Sequence, residues 1–363
     1  MAPTFHRLTV ASVTRPTDES VAIAFNVTDA DRAVFRFIPG QYVTVKTIVG
    51  GAEQRRNYSI CSSDGGDEPL TIGVKRVANG VVSQYLNDHV KPGDTLELYP
   101  PMGSFTIDAE GSGGAPVVLY AGGSGITPIL SMLKSMLASG SNQSLTLIYA
   151  NRNERSIMFA DVIDALAAAN LDTFRVIHVL EDNAATSRSS YAGLLNVEMA
   201  TSLLSAVTSN AASCQHYMCG PQGMMEAVGR ALRDLAVPES NIHREYFTIS
   251  TQQSQPMNHD ETQSDGASAE RRTRSVTIRL YGTESTFDVE PDETILTAAQ
   301  RANLDPPFAC QIGACCTCRA KLLSGRVVMD EREALSDDEI DEGYILTCQS
   351  HPITDDVVAD YDQ

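Results

Sequence analysis

The chain has 363 residues, 42% of them hydrophobic, and a formal net charge of −19. That length allows about two or three domains, each with its own core, and the acidity argues against nucleic acid or anionic lipid as a partner. No run approaches the roughly 18 apolar residues of a membrane helix, and the start Met1-Ala-Pro-Thr-Phe-His-Arg7 lacks the apolar stretch of a secretory leader, so the expected location is the cytoplasm, with no membrane partner.

The first hundred residues read as all-β. Tyr42–Lys46, Leu70–Val74 and Thr95–Tyr99 are alternating or β-branched, and Pro39-Gly40, Gly50-Gly51, Gly65-Gly66 and Pro92-Gly93-Asp94 supply turns between them. Several short strands at this spacing predict a small closed barrel. Within it, Arg56-Asn57-Tyr58-Ser59 offers a guanidinium for phosphate, a ring to stack on a flat cofactor and a hydroxyl. Gly80-Val81-Val82-Ser83 offers a second turn and hydroxyl for phosphate. Either motif alone is an ordinary surface loop or core aromatic.

From about Ala115 strands and helices alternate. Strands are expected at Val117–Tyr120, Leu145–Ala150, Arg175–Leu180 and His216–Cys219, and helices at Pro128–Ala138, Ile157–Ala169 and Met224–Leu235. That alternation means βαβ units and a parallel sheet. Gly122-Gly123-Ser124-Gly125-Ile-Thr127-Pro128 follows a buried strand and opens a helix, where free backbone N–H groups suit a pyrophosphate. Cys219-Gly220-Pro221 holds the equivalent place after a later strand. Two glycine-bearing loops at two strand ends point to one crevice, although Cys219 alone also reads as a core thiol.

Residues 249–274 are polar, nearly free of large apolar side chains and without period, which is linker composition. Beyond them a hairpin is expected, Ser275–Tyr281 with Ser285–Val289, followed by a helix at Glu293–Arg301. Then come Cys310, Cys315 and Cys318, spaced C-x4-C-x2-C, and Cys348 after a gap of 29 residues. This is the plant-type spacing by which four thiolates hold a [2Fe–2S] cluster. Gly313 lets backbone N–H groups turn toward the cluster sulfurs. Zinc sites usually pair their cysteines as two C-x2-C knuckles, and only one such pair exists here. Cys316 falls outside the spacing and reads as a packed thiol. From Ser275 onward the chain holds 6 Lys/Arg against 18 Asp/Glu, and residues 1–274 hold 21 against 28. The cluster-bearing end is the acidic one, fitted either to a basic protein surface or simply to solubility.

In order, R-x-Y-S, G-x-x-S, G-G-S-G-I-T-P, C-G-P and the four cysteines make the chain resemble the ferredoxin-NADP reductase superfamily with a C-terminal plant-type ferredoxin. The resemblance implies a multidomain fold: an antiparallel β-barrel flavin domain over 1–108, an α/β parallel-sheet nucleotide domain over 109–248, a linker over 249–274 and an α+β (β-grasp) plant-type ferredoxin domain over 275–363. It also implies FAD, NADPH (or NADH) and a [2Fe–2S] cluster as cofactors. Arg56 would hold the flavin phosphate, Tyr58 would stack against the isoalloxazine, Ser59 would bond near its N5, and Asn57 is a further cofactor-binding residue. Gly73, Val74 and Lys75 would line the flavin, with Gly80, Val81, Val82 and Ser83 at its pyrophosphate. Gly122, Gly123, Ser124, Gly125, Thr127 and Pro128 would receive the dinucleotide. Cys219, Gly220 and Pro221 would sit beside the nicotinamide. Glu245 and Phe247 match the acidic-plus-aromatic end of the reductase portion, the aromatic covering the flavin face. Ser59, Cys219 and Glu245 are the candidate catalytic residues, and Cys310, Cys315, Cys318 and Cys348 the metal ligands.

The implied reaction takes two electrons from NAD(P)H as hydride and passes them singly through the cluster to an oxygenase component. Asn151-Arg152, with Arg155 nearby, suits the 2′-phosphate of NADPH, although Glu154 is close. The opening Phe5-His-Arg-Leu-Thr-Val10 and the ending Val357-Val-Ala-Asp-Tyr-Asp-Gln363 are similar to reductase subunits of the phenylacetyl-CoA epoxidase type, which implies a diiron, multisubunit client and phenylacetate degradation. The reductase of a Rieske, steroid or aromatic hydroxylase and a general NAD(P)H diaphorase stand as alternatives.

Overall fold

The computed structural model describes residues 4–64, 68–108, 114–140, 142–183, 188–247, 272–313, 315–332, 334–335 and 337–363. The chain divides into two compact units, Thr4–Phe247 and Thr248–Gln363. All but the last three residues of the expected linker lie outside the described residues.

The first unit opens with β1 (His6–Thr17), β2 (Ser20–Asn26), β3 (Tyr42–Val49), β4 (Ala52–Ser59), β5 (Thr71–Lys75), α1 (Val81–Asp88) and β6 (Thr95–Met102). The strands form one antiparallel sheet in the order β4-β3-β6-β1-β2-β5. A single bridge from Ile60 to Ile72 joins the two ends of that order, so the sheet curls into a barrel closed over part of its height. Alternation sets the lining: Leu8, Val21, Ile23, Val43, Val45, Ile72 and Leu98 face one core. Gly50 and Gly51, with φ of 62° and 83°, make the two-residue turn between β3 and β4, a conformation that side-chain-bearing residues rarely adopt. The expected loop at Gly80–Ser83 is instead the start of α1, whose Val82 and Leu86 plug the barrel core.

A parallel sheet follows: β7 (Val117–Gly122), α2 (Ile126–Ala138), β8 (Leu145–Asn151), α3 (Ala160–Ala169), β9 (Phe174–Leu180), β10 (Ser190–Ala192), α4 (Val197–Val207), β11 (Gln215–Cys219), α5 (Gln222–Asp234) and β12 (Ile242–Glu245). Its strand order is β10-β9-β8-β7-β11-β12. Helices cover both faces, as a parallel sheet requires. Val117, Leu119 and Ala121 pack with α2 and α3 on one side, while Val118 and Tyr120 pack with α4 and α5 on the other. The order reverses between β7 and β11, the switch point where open α/β sheets bind ligands. α3 starts at Ala160 rather than Ile157, because Phe159 adopts φ of 58° just before it and stops the helix from extending toward its N-terminus.

The second unit contains β13 (Arg274–Leu280), β14 (Thr283–Val289), α6 (Ile295–Arg301), β15 (Arg319–Ser324), β16 (Val327–Met329), α7 (Asp337–Asp341), β17 (Tyr344–Leu346), β18 (Ser350–Pro352) and β19 (Val357–Asp360). The main sheet runs β14-β13-β19-β15-β17, beside a β16-β18 ribbon. Tyr281 and Gly282, both at positive φ, close the expected hairpin. α6 begins two residues later than expected because Thr294 is its cap, accepting the Thr297 N–H at 3.2 Å. Its Ile295, Ala298 and Ala299 cover the sheet through Val276, Ile278 and Ala359, the β-grasp arrangement.

Candidate redox sites

On the barrel, neighbouring arginines divide their work. Arg55 is buried, paired with Glu53 at 2.8 Å and stacked over Phe5. Arg56 is exposed, its guanidinium donating to the Arg55 carbonyl and the Gln54 amide oxygen, and its exposed face is able to receive a phosphate. Asn57 is fixed by the Thr44 hydroxyl at 2.7 Å. Tyr58 packs on the barrel core, where burial pushes its phenol up. Ser59 ends β4 and is buried. Gly80 caps α1 without a side-chain bond, so the first N–H groups of the helix, at Val81 and Val82, are available to an anion. Ser83 serves the turn itself: its Oγ accepts from Val77 N–H at 3.1 Å and donates to Gly80 O at 3.3 Å. These two bonds hold the turn in shape.

β5 lies directly against the nucleotide loop. A Cβ on Gly73 would sit 2.4 Å from Thr127 Cγ2, so only glycine permits this approach. Val74, next along β5, is buried in the barrel core. Lys75 Nζ lies 3.3 Å from where a Cβ on Gly123 would be. Burial lowers the Lys75 pKa, Arg152 lowers it further, and Glu19 opposes both. Barrel and sheet are joined further by Ser131 Oγ donating to Ser62 O at 2.7 Å, by Asp64 N–H donating to Ser135 Oγ at 3.1 Å and by a Lys134–Glu68 ion pair. A glycine inside a strand is the sequence signal for such close approach; its partner Thr127 is fixed only by the fold.

The two glycine loops interlock at the switch point. A Cβ on Gly125 would meet Cys219 O at 2.0 Å, one on Gly122 would meet Pro221 Cδ at 2.5 Å, and one on Gly220 would meet Gly122 Cα at 3.0 Å. Gly123 to Gly125 form a tight turn with Gly123 at φ of 52°. Thr127 and Pro128 fall in the first turn of α2; Thr127 is buried and its hydroxyl donates to Ser124 O at 2.9 Å. Cys219 pairs in register with Glu245 across β11 and β12. Cys219 is buried and Glu245 half-buried. Burial pushes the Cys219 thiol up, with a further push from Glu245, and raises the Glu245 carboxyl to about 8. Glu245 Oε2 has no hydrogen-bond partner among the described residues. Phe247 is 38% exposed at the end of this unit. Arg152 is exposed beyond the end of β8. Asn151, named with Arg152 from the sequence, is buried here, and sequence reasoning missed the buried His178 near this edge; nothing in a strand pattern marks it.

In the second unit the four cysteines stand as two pairs. Cys315 is hydrogen-bonded with Cys310 and Cys318 with Cys348, and Cys315–Cys318 and Cys310–Cys348 also interact. Among the described residues no three His, Cys, Asp or Glu side chains gather on one point. Two thiols at each of two positions suit the two irons of a [2Fe–2S] group rather than one tetrahedral ion. Gly313, at φ of 73°, donates its N–H to Cys348 Sγ, and Gln349 Nε2 lies 3.6 Å from the same sulfur. Donors at the sulfurs stabilise an anionic cluster. Cys316 points away, its Sγ donating to Ala334 O at 2.8 Å, a packed thiol as expected.

A flavin barrel, a dinucleotide sheet packed against it and a separate four-thiol unit, carried on one chain, define an NAD(P)H-dependent flavin iron–sulfur oxidoreductase. Known domain families agree: the oxidoreductase FAD-binding domain matches residues 8–107, the oxidoreductase NAD-binding domain 119–230 and the 2Fe-2S iron-sulfur cluster binding domain 278–352. The chain is 35% identical to one of the subunits of the 1,2-phenylacetyl-CoA epoxidase of Escherichia coli strain K12, covering 99% of this chain and 98% of that one. It is 34% identical to the ferredoxin reductase component of 3-ketosteroid-9-alpha-monooxygenase of Mycobacterium tuberculosis, covering 98% and 96%. Among solved structures, phthalate dioxygenase reductase aligns over 98% of both chains at 26% identity with a TM-score of 0.57. The chain belongs to the ferredoxin-NADP reductase superfamily, in the group that carries a plant-type ferredoxin domain. No helix among the described residues is long and apolar enough to cross a membrane.

Proposed function

We propose that this chain is the reductase component of an oxygenase, drawing electrons from NADPH and delivering them singly to its client. Arg56 holds the flavin phosphate, the N-terminus of α1 at Gly80–Ser83 receives the pyrophosphate, and Asn57, Tyr58, Ser59 and Gly73–Lys75 line the ring. Gly122–Pro128 and Cys219–Pro221 bind the dinucleotide at the switch point, and Phe247 covers the flavin face. When bound, the flavin accepts hydride and the cluster carries one electron at a time. The protein's part is to bring the two rings together and exclude water. Gly73, with no side chain against Thr127, allows that approach. Cys219, buried, and Glu245, half-buried with one carboxyl oxygen enclosed, give the hydride path a neutral lining: below about pH 8 Glu245 keeps its proton on the carboxyl and acts as a donor instead of a charge. Arg152, with Arg155 beside it, meets the 2′-phosphate. The four cysteines hold the cluster, in a domain over 275–363 that follows the flavin domain over 1–108, the nucleotide domain over 109–248 and the linker over 249–274.

The client is a phenylacetyl-CoA epoxidase, a diiron multisubunit oxygenase of phenylacetate catabolism, acting in the cytoplasm. The observation that carries this reading is 35% identity over nearly the full length of both chains. A steroid hydroxylase is the second reading, favoured by 34% identity to the 3-ketosteroid enzyme's reductase. The test mixes flavin- and cluster-loaded protein with each purified oxygenase component and NADPH. Coupled epoxidation of phenylacetyl-CoA is expected. Faster electron delivery to the steroid hydroxylase, with none to the epoxidase, reverses the order.

A further inference from the structure

The carboxyl edge of the nucleotide sheet carries an ion-pair clamp that hydride transfer does not use. β8 ends at Asn151, and the residues after it form a locked turn. Asn153 Oδ1 accepts from Ser156 N–H at 3.2 Å, and Ser156 Oγ accepts from Asn153 N–H at 3.0 Å. That lock fixes where Glu154 leaves the backbone. Its carboxylate lies 3.4 Å from Nε of Arg188, whose Nη1 lies 2.5 Å from Asp164 of α3. Arg188 sits two residues before β10 and is only 20% exposed; Glu154 is 27% exposed. One guanidinium therefore spans two acids from two different elements. Arg152 and Arg155, on either side of Glu154, are exposed and make no ion pair among the described residues.

In sheets of this kind an acid near this strand end accepts from the ribose 2′-hydroxyl of NADH, whereas an arginine accommodates the 2′-phosphate of NADPH. Both residue types are present here within three positions. The exposed Glu181 and Asp182 follow β9, one strand further from the switch point. What separates the two outcomes is whether Glu154 can turn to the ribose. We propose that Arg188 sets the coenzyme preference by holding Glu154 away from the ribose, so that Arg152 alone meets the nucleotide's 2′ position. Arg188 is a positioning residue: it touches Glu154 and Asp164, not the coenzyme. This rests on the reading that Arg152 meets a 2′-phosphate.

The test uses full-length protein loaded with flavin and cluster, and stopped-flow flavin reduction by NADPH and by NADH. Arg188→Gln and Arg188→Ala are both made, so that one folded variant suffices. Either is expected to lower the NADPH/NADH ratio of kcat/KM by about tenfold, the scale of one charge-assisted hydrogen bond, mainly through KM. Glu154→Gln in the same background is expected to restore the ratio, and Arg188→Lys, which keeps a cation there, to preserve it. An unchanged ratio in the Arg188 variants, or a lowered ratio that Glu154→Gln leaves lowered, overturns the proposal. Arg152→Ala reads the underlying assumption separately. If it leaves NADPH kinetics untouched while the Arg188 variants still shift the ratio through Glu154, the clamp stands and the 2′-phosphate contact belongs elsewhere.

Discussion

The two units reach a redox function by opposite routes. In Thr4–Phe247 the critical positions are often ones where a side chain is missing: Gly73, Gly122, Gly125 and Gly220 each stand where a Cβ would overlap a neighbour from another element. The site there is an approach of backbones, and its parts come from β4, β5, α1, β7, β11 and β12. In Thr248–Gln363 the site is four side chains of one chemical kind, three of them within nine consecutive residues. The first arrangement is broken by adding atoms and the second by removing them. The difference also predicts how far damage travels: a lost thiol should stay local, whereas an added methyl should couple barrel and sheet.

The largest effect is expected at the cluster. Cys348→Ser removes one of the paired thiols and should abolish the cluster's visible absorption, its iron and sulfide, and electron delivery to any protein acceptor. Flavin reduction by NAD(P)H in the same protein should be nearly unchanged. Stopped-flow traces in which flavin reduction collapses as well would show that the two units are not functionally separable.

Next in size is the added methyl. In Gly125→Ala the new carbon would lie 2.0 Å from a backbone oxygen, that of Cys219, which cannot rotate away as a side chain can. A loss of about 3 kcal/mol is expected from overpacking, with weakened NAD(P)H binding, both read from denaturant melts and coenzyme titrations. Gly223→Ala is the matched control. It lies in α5 with open space around its Cβ position, and should be neutral or more stable by about 0.5–1 kcal/mol from helix propensity. Equal losses in the two variants would mean the interlock is not what Gly125 provides.

That contrast also explains what could be read from the sequence. The four cysteines were legible because spacing alone states their chemistry. The barrel and the parallel sheet were legible through strand periodicity, and the Gly122–Pro128 loop through its place between strand and helix. What stayed hidden depends on which elements come together. Gly80–Val81 looks like a loop until Val82 and Leu86 are seen to face a core. Nor does the sequence show that the Ser83 hydroxyl is bonded within its own turn. Arg56 and Arg55 are adjacent in sequence, and only the strand's pleat decides which is buried. The Glu154–Arg188 pair spans 34 positions, with no spacing rule to announce it.

A smaller effect should appear with pH in the first unit alone. Glu245 titrates near 4.5 in an unfolded chain and near 8 when folded, because burial disfavours its charge. Between those values the folded state holds a proton that the unfolded state has released. Stability from this group is therefore complete below about pH 4.5 and declines as pH rises toward 8. Glu245→Gln should flatten that slope in melts between about pH 5 and 8. Parallel curves for wild type and variant would show that the carboxyl is not held protonated.

The smallest effect tests whether the acidic end steers the encounter with an acceptor. Asp330, Glu331, Glu333, Asp337, Asp338, Glu339, Asp341 and Glu342 crowd one stretch, but the fold does not leave all of them to solvent. Glu339 pairs with Arg319 and is only 18% exposed. Leu335 and Ile340 bury the inner side of the segment beside Cys318 and Cys348. Among the described side chains Asp330, Asp341 and Glu342 remain exposed, so they are charges able to act at a distance. Exposed charges are screened beyond about 8 Å at physiological ionic strength. Electron delivery to the oxygenase acceptor should therefore slow by roughly tenfold between low and physiological salt, with NAD(P)H-to-flavin transfer changing less. Asp341→Lys with Glu342→Lys should reproduce part of that loss at low salt, whereas Glu339→Gln, whose partner is internal, should cost stability more than encounter rate. If delivery is flat in salt and indifferent to the double reversal, the outward charges serve solubility and the segment's role ends at packing the cluster loop.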